Sequence, residues 1–361
     1  MEQGGTMKKT IILVLLGSLV LFTGLLCRRS ALISVYKSPD LGTTWEQLRV
    51  TSLPGKKFVA PTGQAYSLVF DLINPKIMFL GIKDKGIFKS TDGGLSWEQK
   101  NEGIPMDRND VIFYRILINP NDSNQILAAG ITKKYGKIIK SSDGGEHWRE
   151  VLVESRPNYI ISDLATNNQE VVASSQIGNV YESSDFGDSW NVIGQFSDEV
   201  SSISINRSGV VYISTSTLGA FKTADSGKNW AGITESINRQ AESFRKINDL
   251  SVYKIKVAPS DDMIVYLASK KGIFVSRDGG ISWENIKALL PPEGFVPEIL
   301  ALKIHPQNSN IIFYAVRNVI YKGIIEGTSW KSQQISLGIS AFDIEFNPAD
   351  SNSVYATAAT E

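Results

Sequence analysis

Beyond residue 30 the chain alternates short apolar runs with polar turns. One stretch runs from Tyr66 to Ile73, turns at Asn74-Pro75, resumes from Ile77 to Ile82, and continues as Gly86-Ile87-Phe88-Lys89. Similar turns stand at Asn119-Pro120, Ala258-Pro259, His305-Pro306 and Asn347-Pro348, and Gly272-Ile273-Phe274-Val275 repeats the third run. Runs of this length, rich in β-branched and aromatic residues and bounded by turn residues, predict strands. A single short stretch, Ile237 to Ile247, has the apolar spacing of an amphipathic helix, and a solvated loop is an equal reading.

A longer period lies over these runs. The tryptophans are Trp45, Trp97, Trp148, Trp190, Trp230, Trp283 and Trp330, spaced 40 to 53 residues apart. Six of them end the pattern S/T-x-D-x-G-x-x-W, as in Ser38-Pro39-Asp40-Leu41-Gly42-Thr43-Thr44-Trp45, with Thr, Ser, His or Asn just before the indole. The other aspartates of the pattern are Asp92, Asp143, Asp185, Asp225 and Asp278. The copy from Gly323 to Trp330 carries Ile325 in place of the aspartate. Four strands in a period of this length predict the blades of a β-propeller.

The chain ends complete the count. After Arg29 the chain opens with a third-strand run, Ile33 to Lys37, and it finishes with a first strand, Ala341 to Phe346, and a second, Val354 to Ala358. Neither end makes a blade alone. Together they make one, which closes the ring and removes two exposed sheet edges. The expectation is an all-β, seven-bladed propeller of four-stranded antiparallel blades over residues 31–361, preceded by a hydrophobic helix in residues 1–30. Length alone, at roughly 150 residues per domain, suggests two or three domains; the shared blade makes it one.

The repeated pattern resembles the Asp-box (BNR) repeat of sialidases, sortilin-type receptors and photosystem II stability/assembly factor-like propellers, across residues 33 to 361. The resemblance implies a hairpin turn. The aspartate accepts bonds from nearby amides, the glycine takes a positive φ, and the tryptophan begins the outgoing strand as packing surface. Asp40, Trp45, Asp92, Trp97, Asp143, Trp148, Asp185, Trp190, Asp225, Trp230, Asp278 and Trp283 are therefore read as structural. Seven blades match the assembly factors, whereas sortilin-type receptors carry more blades and cysteine-rich modules. Sialidases would add an arginine trio and a tyrosine–glutamate pair; Phe113-Tyr114-Arg115-Ile116 is only faintly similar to their arginine motif. Xyloglucanase-like enzymes use a cleft between two propellers.

In a propeller the box turns share a face with the first-to-second turns. The opposite face carries the second-to-third loops and the variable interblade connections, where binding usually lies. The second-to-third loops are basic: Lys83, Lys85, Lys133, Lys134, Lys137, Lys270, Lys271 and Arg317 face only Asp84. This rim would attract an acidic segment, an anionic glycan or lipid headgroups, or it simply discourages edge pairing. A glycoside hydrolase would need two carboxylates near the central opening; Asp71, Asp163, Asp343 and Glu345 are the candidates on inner strands.

Composition narrows the remainder. With 37 basic and 37 acidic residues in 361 the net charge is zero, against a broad nucleic-acid binder. Cys27 is the only cysteine, and His147 and His305 are the only histidines, so neither disulfides nor cysteine or histidine metal clusters are expected, nor any cofactor. Lys8 and Lys9 precede an uncharged apolar run, Thr10 to Cys27, that Arg28 and Arg29 follow. As a helix this run spans about 27 Å, enough for a hydrocarbon core. It reads as a membrane anchor, a cleaved signal, or a lipidated leader ending at Cys27, although Leu25 and Leu26 stand where small residues belong. Each reading places the propeller outside the cytoplasm, secreted if the leader is cleaved. The chain is expected to be a monomeric, non-enzymatic binding or assembly scaffold for a protein or glycan, with glycoside hydrolysis as the alternative.

Overall fold

In the computed structural model the apolar runs pair into seven antiparallel sheets of four strands each. Residues 30–51, 60–106, 110–168, 170–235, 237, 251–286, 298–316, 319–326, 329–336 and 340–359 are described. The leader, Arg317 and nearly all of the stretch from Ile237 to Ile247 lie outside them. Among the described residues no helix is long and apolar enough to cross a membrane.

Blade 1 is the shared one. Its strands run in the order Glu46–Thr51, Ser30–Ser38, Asp350–Ala359, Ser340–Asn347, so two N-terminal strands pair with two C-terminal ones. Val35 to Ser38 lie antiparallel to Val354 to Thr357 across the seam. Blades 2 to 7 follow in chain order, with first strands Ala65–Phe70, Ile112–Asn119, Ile161–Thr166, Val200–Ile205, Val252–Ala258 and Ile299–Ile304. Apolar side chains gather in seven clusters, each drawn from two neighbouring blades. Phe79 and Ile87 of blade 2 meet Phe113 and Trp148 of blade 3, and Phe313 of blade 7 meets Ile344 and Val354 of blade 1. The core is thus a ring of interfaces.

The Asp-box turns staple the outer hairpins. In blade 1 Ser38 Oγ donates to Asp40 Oδ1 at 2.8 Å and accepts the Gly42 amide at 2.8 Å. Asp40 in turn accepts the amide and the hydroxyl of Thr44, each at 2.7 Å. The same arrangement recurs around Asp92, Asp143, Asp185, Asp225 and Asp278. This explains the polar residue before each indole: Ser96, His147, Ser189, Asn229 and Ser282 all bond to their aspartate. The glycine has a steric reason as well. Gly227 sits at φ +81°, and a Cβ there would lie 1.8 Å from the Ile193 carbonyl oxygen of blade 4. In the decayed copy, Gly323 and Ile325 supply neither hydroxyl nor carboxylate. The strands Val319–Glu326 and Ser329–Ser336 instead stay paired down to Glu326 and Ser329.

The boxes also bind blade to blade. The indole nitrogens of Trp148, Trp230 and Trp283 donate to Lys100, Ile193 and Ile233 carbonyls of the preceding blade, at 3.0, 3.0 and 2.7 Å. From the other side, in blades 2 to 5 the residue just before the box Ser/Thr reaches the next box. Lys89 Nζ donates to the Gly144 carbonyl and Lys222 Nζ to the Gly279 carbonyl, both at 2.7 Å. Lys140, almost fully buried, pairs with Asp188 at 2.8 Å, and Glu182 bonds Ser226. Val275 holds this position before blade 7, whose box has lost its aspartate. A charged hydrogen bond of this kind contributes about 1.5–3 kcal/mol. Lys89→Met and Lys222→Met should each lower unfolding free energy in urea by about 1–2 kcal/mol; no loss at either position would exclude the latch.

The box aspartates are ionised more readily than usual. The Thr44 amide holds Asp40 at about 2, and the Asn229 side chain and amide hold Asp225 at about 2. Burial opposes the same effect at Asp143 and Asp278, yet bonds from His147 and Ser282 still bring both to about 2. Unfolded aspartates titrate near about 3.9, so this contribution is complete above that value and is lost as the pH falls toward about 2. Equilibrium unfolding followed by tryptophan fluorescence should show stability dropping through that window. A variant with Asp40→Asn, Asp143→Asn, Asp225→Asn and Asp278→Asn should start less stable and show a shallower acid limb.

Candidate functional site

All seven first strands break register at one place. The breaks fall between Ala65 and Ser67, Phe113 and Arg115, Ile161 and Asp163, Val200 and Ser202, Val252 and Lys254, Ile299 and Ala301, and Ala341 and Ile344. A bulge adds one unpaired residue and re-aims its side chain. Repeated around the ring, it brings consecutive residues toward the axis. The bulge residues Tyr66, Tyr114, Ser162, Ser201, Tyr253, Leu300 and Phe342 all line a cavity of about 640 Å³. Gln176 and Ser216, from second-to-third loops, line it too, so this funnel opens on the loop face. The boxes lie on the other face: the Gly93, Gly144 and Gly279 amides bond to Lys76, Asn124 and Met263 carbonyls beside the first-to-second turns.

The funnel wall has two halves. Tyr253, Leu300, Phe342, Tyr66 and Tyr114 form an apolar arc over five successive first strands, and Ser162 and Ser201 fill the other two positions. Tyr66 stacks on Phe342 with centroids 4.5 Å apart and meets Tyr114 edge-on at 5.3 Å. Burial pushes the Tyr114 hydroxyl up to about 12. The serines are committed to cementing neighbours, Ser162 Oγ donating to the Val200 carbonyl at 2.6 Å and Ser201 Oγ to the Val252 carbonyl at 3.0 Å.

Below this wall the floor is charged. Arg115 Nε donates to Asp163 Oδ1 and Nη1 to Asp343 Oδ1, each at 3.1 Å, so one guanidinium bridges blades 3, 4 and 1. Lys256 Nζ of blade 6 donates to Asp163 Oδ2 at 2.8 Å. Asp163 also accepts from Ser202 Oγ at 3.1 Å, and Asp343 accepts the Leu68 amide at 3.1 Å. Burial pushes the Asp163 carboxyl up, but Lys256, Arg115 and Lys254 outweigh it and hold it well below the ordinary range. Lys254, half-buried in the same layer, has no hydrogen bond or ion pair among the described residues, and burial lowers its pKa.

The four candidate carboxylates thus separate. Asp163 and Asp343 share the funnel floor, both clamped by Arg115. Glu345 lies one layer deeper, paired with Lys303, and burial raises its pKa. Asp71 is not in the funnel; it caps the first-to-second turn of blade 2, accepting the Ile73 amide at 2.8 Å. His305 does the same in blade 7, its Nδ1 accepting the Asn308 amide at 3.1 Å. Arg115, a weak motif match in the sequence, turns out to organise the floor. Lys254 and Lys256 were not singled out in the sequence; the spacing Lys254-x-Lys256 on an inner strand is the signal that would have found them.

The basic rim shares the loop face but does not line the funnel. Lys133 and Lys134 form an exposed two-residue turn in left-handed conformations, φ +48° and +68°. Lys83, Lys270 and Lys271 also sit in second-to-third turns, and Lys85 Nζ donates to Thr62 Oγ1 at 2.9 Å. Lys137 is not a loop residue. It lies buried in the strand Tyr135–Ser141, paired with Glu150, because the turn before it is only two residues long.

Relatives share this architecture. A family model described as photosynthesis system II assembly factor YCF48 matches residues 59–251, and one for the BNR/Asp-box repeat matches residues 274–285. Photosystem II assembly lipoprotein Ycf48 of Synechococcus sp. (strain CC9902) is 25% identical over 162 residues, 44% of this chain and 46% of that protein. Xyloglucanase Xgh74A of Acetivibrio thermocellus is 23% identical over 353 residues, 91% of this chain but 36% of the enzyme. These alignments cover less than half the length of either relative. Among solved structures, YCF48 from Cyanidioschyzon merolae superposes with a TM-score of 0.58 at 12% identity, over 82% of this chain and 95% of that one. A YCF48 bound to a D1 peptide gives 0.57 at 14%, over 92% and 97%. The GH74 xyloglucanase from Xanthomonas campestris gives 0.63 at 11%, over 91% and 52%. With more than half of its residues matched by the family model, and with seven blades built on Asp-box turns, the chain belongs to the photosynthesis system II assembly factor YCF48 family.

Proposed function

We propose that this chain is a non-catalytic assembly or binding scaffold that takes a segment of a protein partner into its loop-face funnel. The observation that carries this reading is the state of the funnel carboxylates. Hydrolysis of a glycosidic bond needs one carboxylic acid able to give up a proton and a second carboxylate free to act opposite it. Here Asp163 and Asp343 are both bound to Arg115, and Asp163 is held ionised by Lys256 as well. Asp163 is therefore not available as an acid, and Asp343 is tied to Arg115 and the Leu68 amide. The xyloglucanase alignment covers 36% of that enzyme, so the likeness reaches the propeller scaffold and not the whole enzyme.

The family supports a protein partner, since one relative of this fold is bound to a D1 peptide. In this reading the apolar leader anchors the propeller at a membrane with its blades outside the cytoplasm. The exposed Lys133 and Lys134 add a basic margin beside the funnel that would draw acidic segments inward.

Two measurements test the proposal on the full chain. Incubation with xyloglucan and with fluorogenic sialosides should release no product; turnover abolished by Asp163→Ala would establish the hydrolase instead. A photo-reactive residue in place of Tyr253 should cross-link polypeptide in membrane extracts, whereas one in place of Leu95, exposed on the box face, should not. Equal labelling from both faces would remove the funnel from the proposal.

A further inference from the structure

The hairpin between the second and third strands of blade 3 stands out from the loop face. In blades 2 and 4 to 7 the second strand ends on the residue paired with the last one before the bulge. Those residues are Ile82, Ser175, Thr215, Ser269 and Val316. In blade 3 the equivalent residue is Gly130, and the strand runs on through Ile131 to Thr132. Two extra residues carry its turn about 7 Å further out. The outer strands follow: Thr132 and Pro157 both pair with Tyr135, and the Asn158 amide donates to the Lys134 carbonyl at 2.5 Å.

This spur is basic at its tip. Segments 131–136 and 155–160 contain Lys133, Lys134 and Arg156, all exposed, and no carboxylate. The neighbouring turn of blade 2 differs, with Asp84 between Lys83 and Lys85. Lys133 and Lys134 both hold a positive φ, in a two-residue turn where Asn-Gly is the favoured pair. Backbone preference therefore does not account for the two lysines. Tyr135 and Tyr159 flank them, 38% and 39% exposed.

The leader joins the ring on the same face. Ser30 opens the third strand of blade 1, which runs from the loop face to the box at Asp40. Arg28, Arg29 and the apolar run from Thr10 to Cys27 precede it, and blade 1 stands two blades from the spur.

We propose that the blade 3 spur docks on anionic lipid headgroups, giving the propeller a second membrane contact beside its leader. This rests on the anchoring role given to the leader above and is independent of what the funnel takes in. Lysine and arginine within a Debye length of an anionic leaflet are drawn to it. Tyrosine rings settle at headgroup level, with the ring toward the acyl chains and the hydroxyl toward water. Shape separates a bilayer from an acidic peptide. A projecting tip has no groove to enclose a chain, whereas a flat headgroup surface receives Lys133, Lys134, Arg156 and both tyrosines together. Two contacts on one face also turn that face, and the funnel mouth with it, toward the bilayer.

The test uses the full chain reconstituted in vesicles whose headgroups carry a nitroxide quencher. Cys27→Ser removes the one cysteine, and a fluorophore is attached at Ser155→Cys on the spur or Leu95→Cys on the box face, both exposed. In vesicles of phosphatidylglycerol and phosphatidylcholine the spur label should be quenched and the box-face label should not. Pure phosphatidylcholine or high salt should abolish the spur quenching. Lys133→Asn with Lys134→Gly should lower the docked-to-undocked ratio about thirtyfold, the loss of two lysines at an anionic surface. That pair suits the turn, so the melting point should not fall. Lys133→Arg with Lys134→Arg should keep the quenching. Equal spur quenching with and without phosphatidylglycerol, or quenching unchanged by the Asn-Gly pair, would overturn the inference and leave the anchoring leader standing. A chain that floats with neither kind of vesicle would remove leader and spur together. Absence of spur quenching, with Tyr253 cross-links lost in the Asn-Gly variant, would overturn it by assigning the lysines to an acidic protein segment.

Discussion

No blade of this propeller can bury its own apolar faces. A four-stranded twisted sheet has two, and each finds cover only on the blade beside it, as the seven interblade clusters show. The last blade must therefore meet the first. Pairing Val35 to Ser38 with Val354 to Thr357 meets that demand with backbone hydrogen bonds, since a strand pair is harder to part than a packed face. Every other feature hangs on the closed ring. The box indoles and the latch lysines work only because a neighbouring blade stands within reach, and the funnel exists only because seven first strands converge on one axis.

Convergence alone would give a plain channel lined by alternate residues. The seven bulges change that, by turning one more residue per strand toward the axis. They let a single strand present Tyr253 and Lys254 side by side, and another Tyr114 and Arg115. Charges placed so deep are costly unless paired and hydrogen-bonded. The floor meets this with shared ligands: Asp163 accepts from Arg115, Lys256 and Ser202, and Asp343 from Arg115 and Leu68. Such mutual satisfaction fixes the side chains in place, with Lys254 held beside them by the charges of Asp163 and Asp343.

How much of this was legible in the sequence follows from the physics of each signal. The tryptophan period and the box pattern were legible because each turn is built within eight residues, and its bonds join positions fixed in sequence. Ring closure was legible because strands left over at the two ends add up to one blade. The bulges were not, since an inserted residue simply looks like a strand one longer, and hydrophobic periodicity in a two-sided buried strand is too weak to reveal the phase change. For the same reason Asp71 and Asp163 looked equivalent; one falls past the strand end and caps a turn, while the other falls just beyond the bulge and faces the axis. The latch lysines were hidden because their partners lie in the next blade, some fifty residues away. Lys137 was misplaced because a two-residue turn returned the chain to strand sooner than the lysine run suggested.

The two faces of the ring differ in what they leave unsatisfied, and the proposed binding role of the funnel face rests on that difference. On the box face each of the six aspartates is saturated by its own turn, and bonds that lower its pKa also spend its acceptor capacity. Those carboxylates are therefore spent within their own turns. On the funnel face Lys254 and Glu298 make no hydrogen bond among the described residues, and Asp163 and Glu298 act on Lys254 through space. A binding site needs such residual hydrogen-bonding capacity, held by groups whose own positions are already fixed. The rigid floor provides the fixing, because moving Lys254 would require the blade 6 strand that also carries Lys256 to leave Asp163. Floor and cavity wall therefore share one strand, Val252–Ala258, with one lysine bonded to Asp163 and the other lining the funnel.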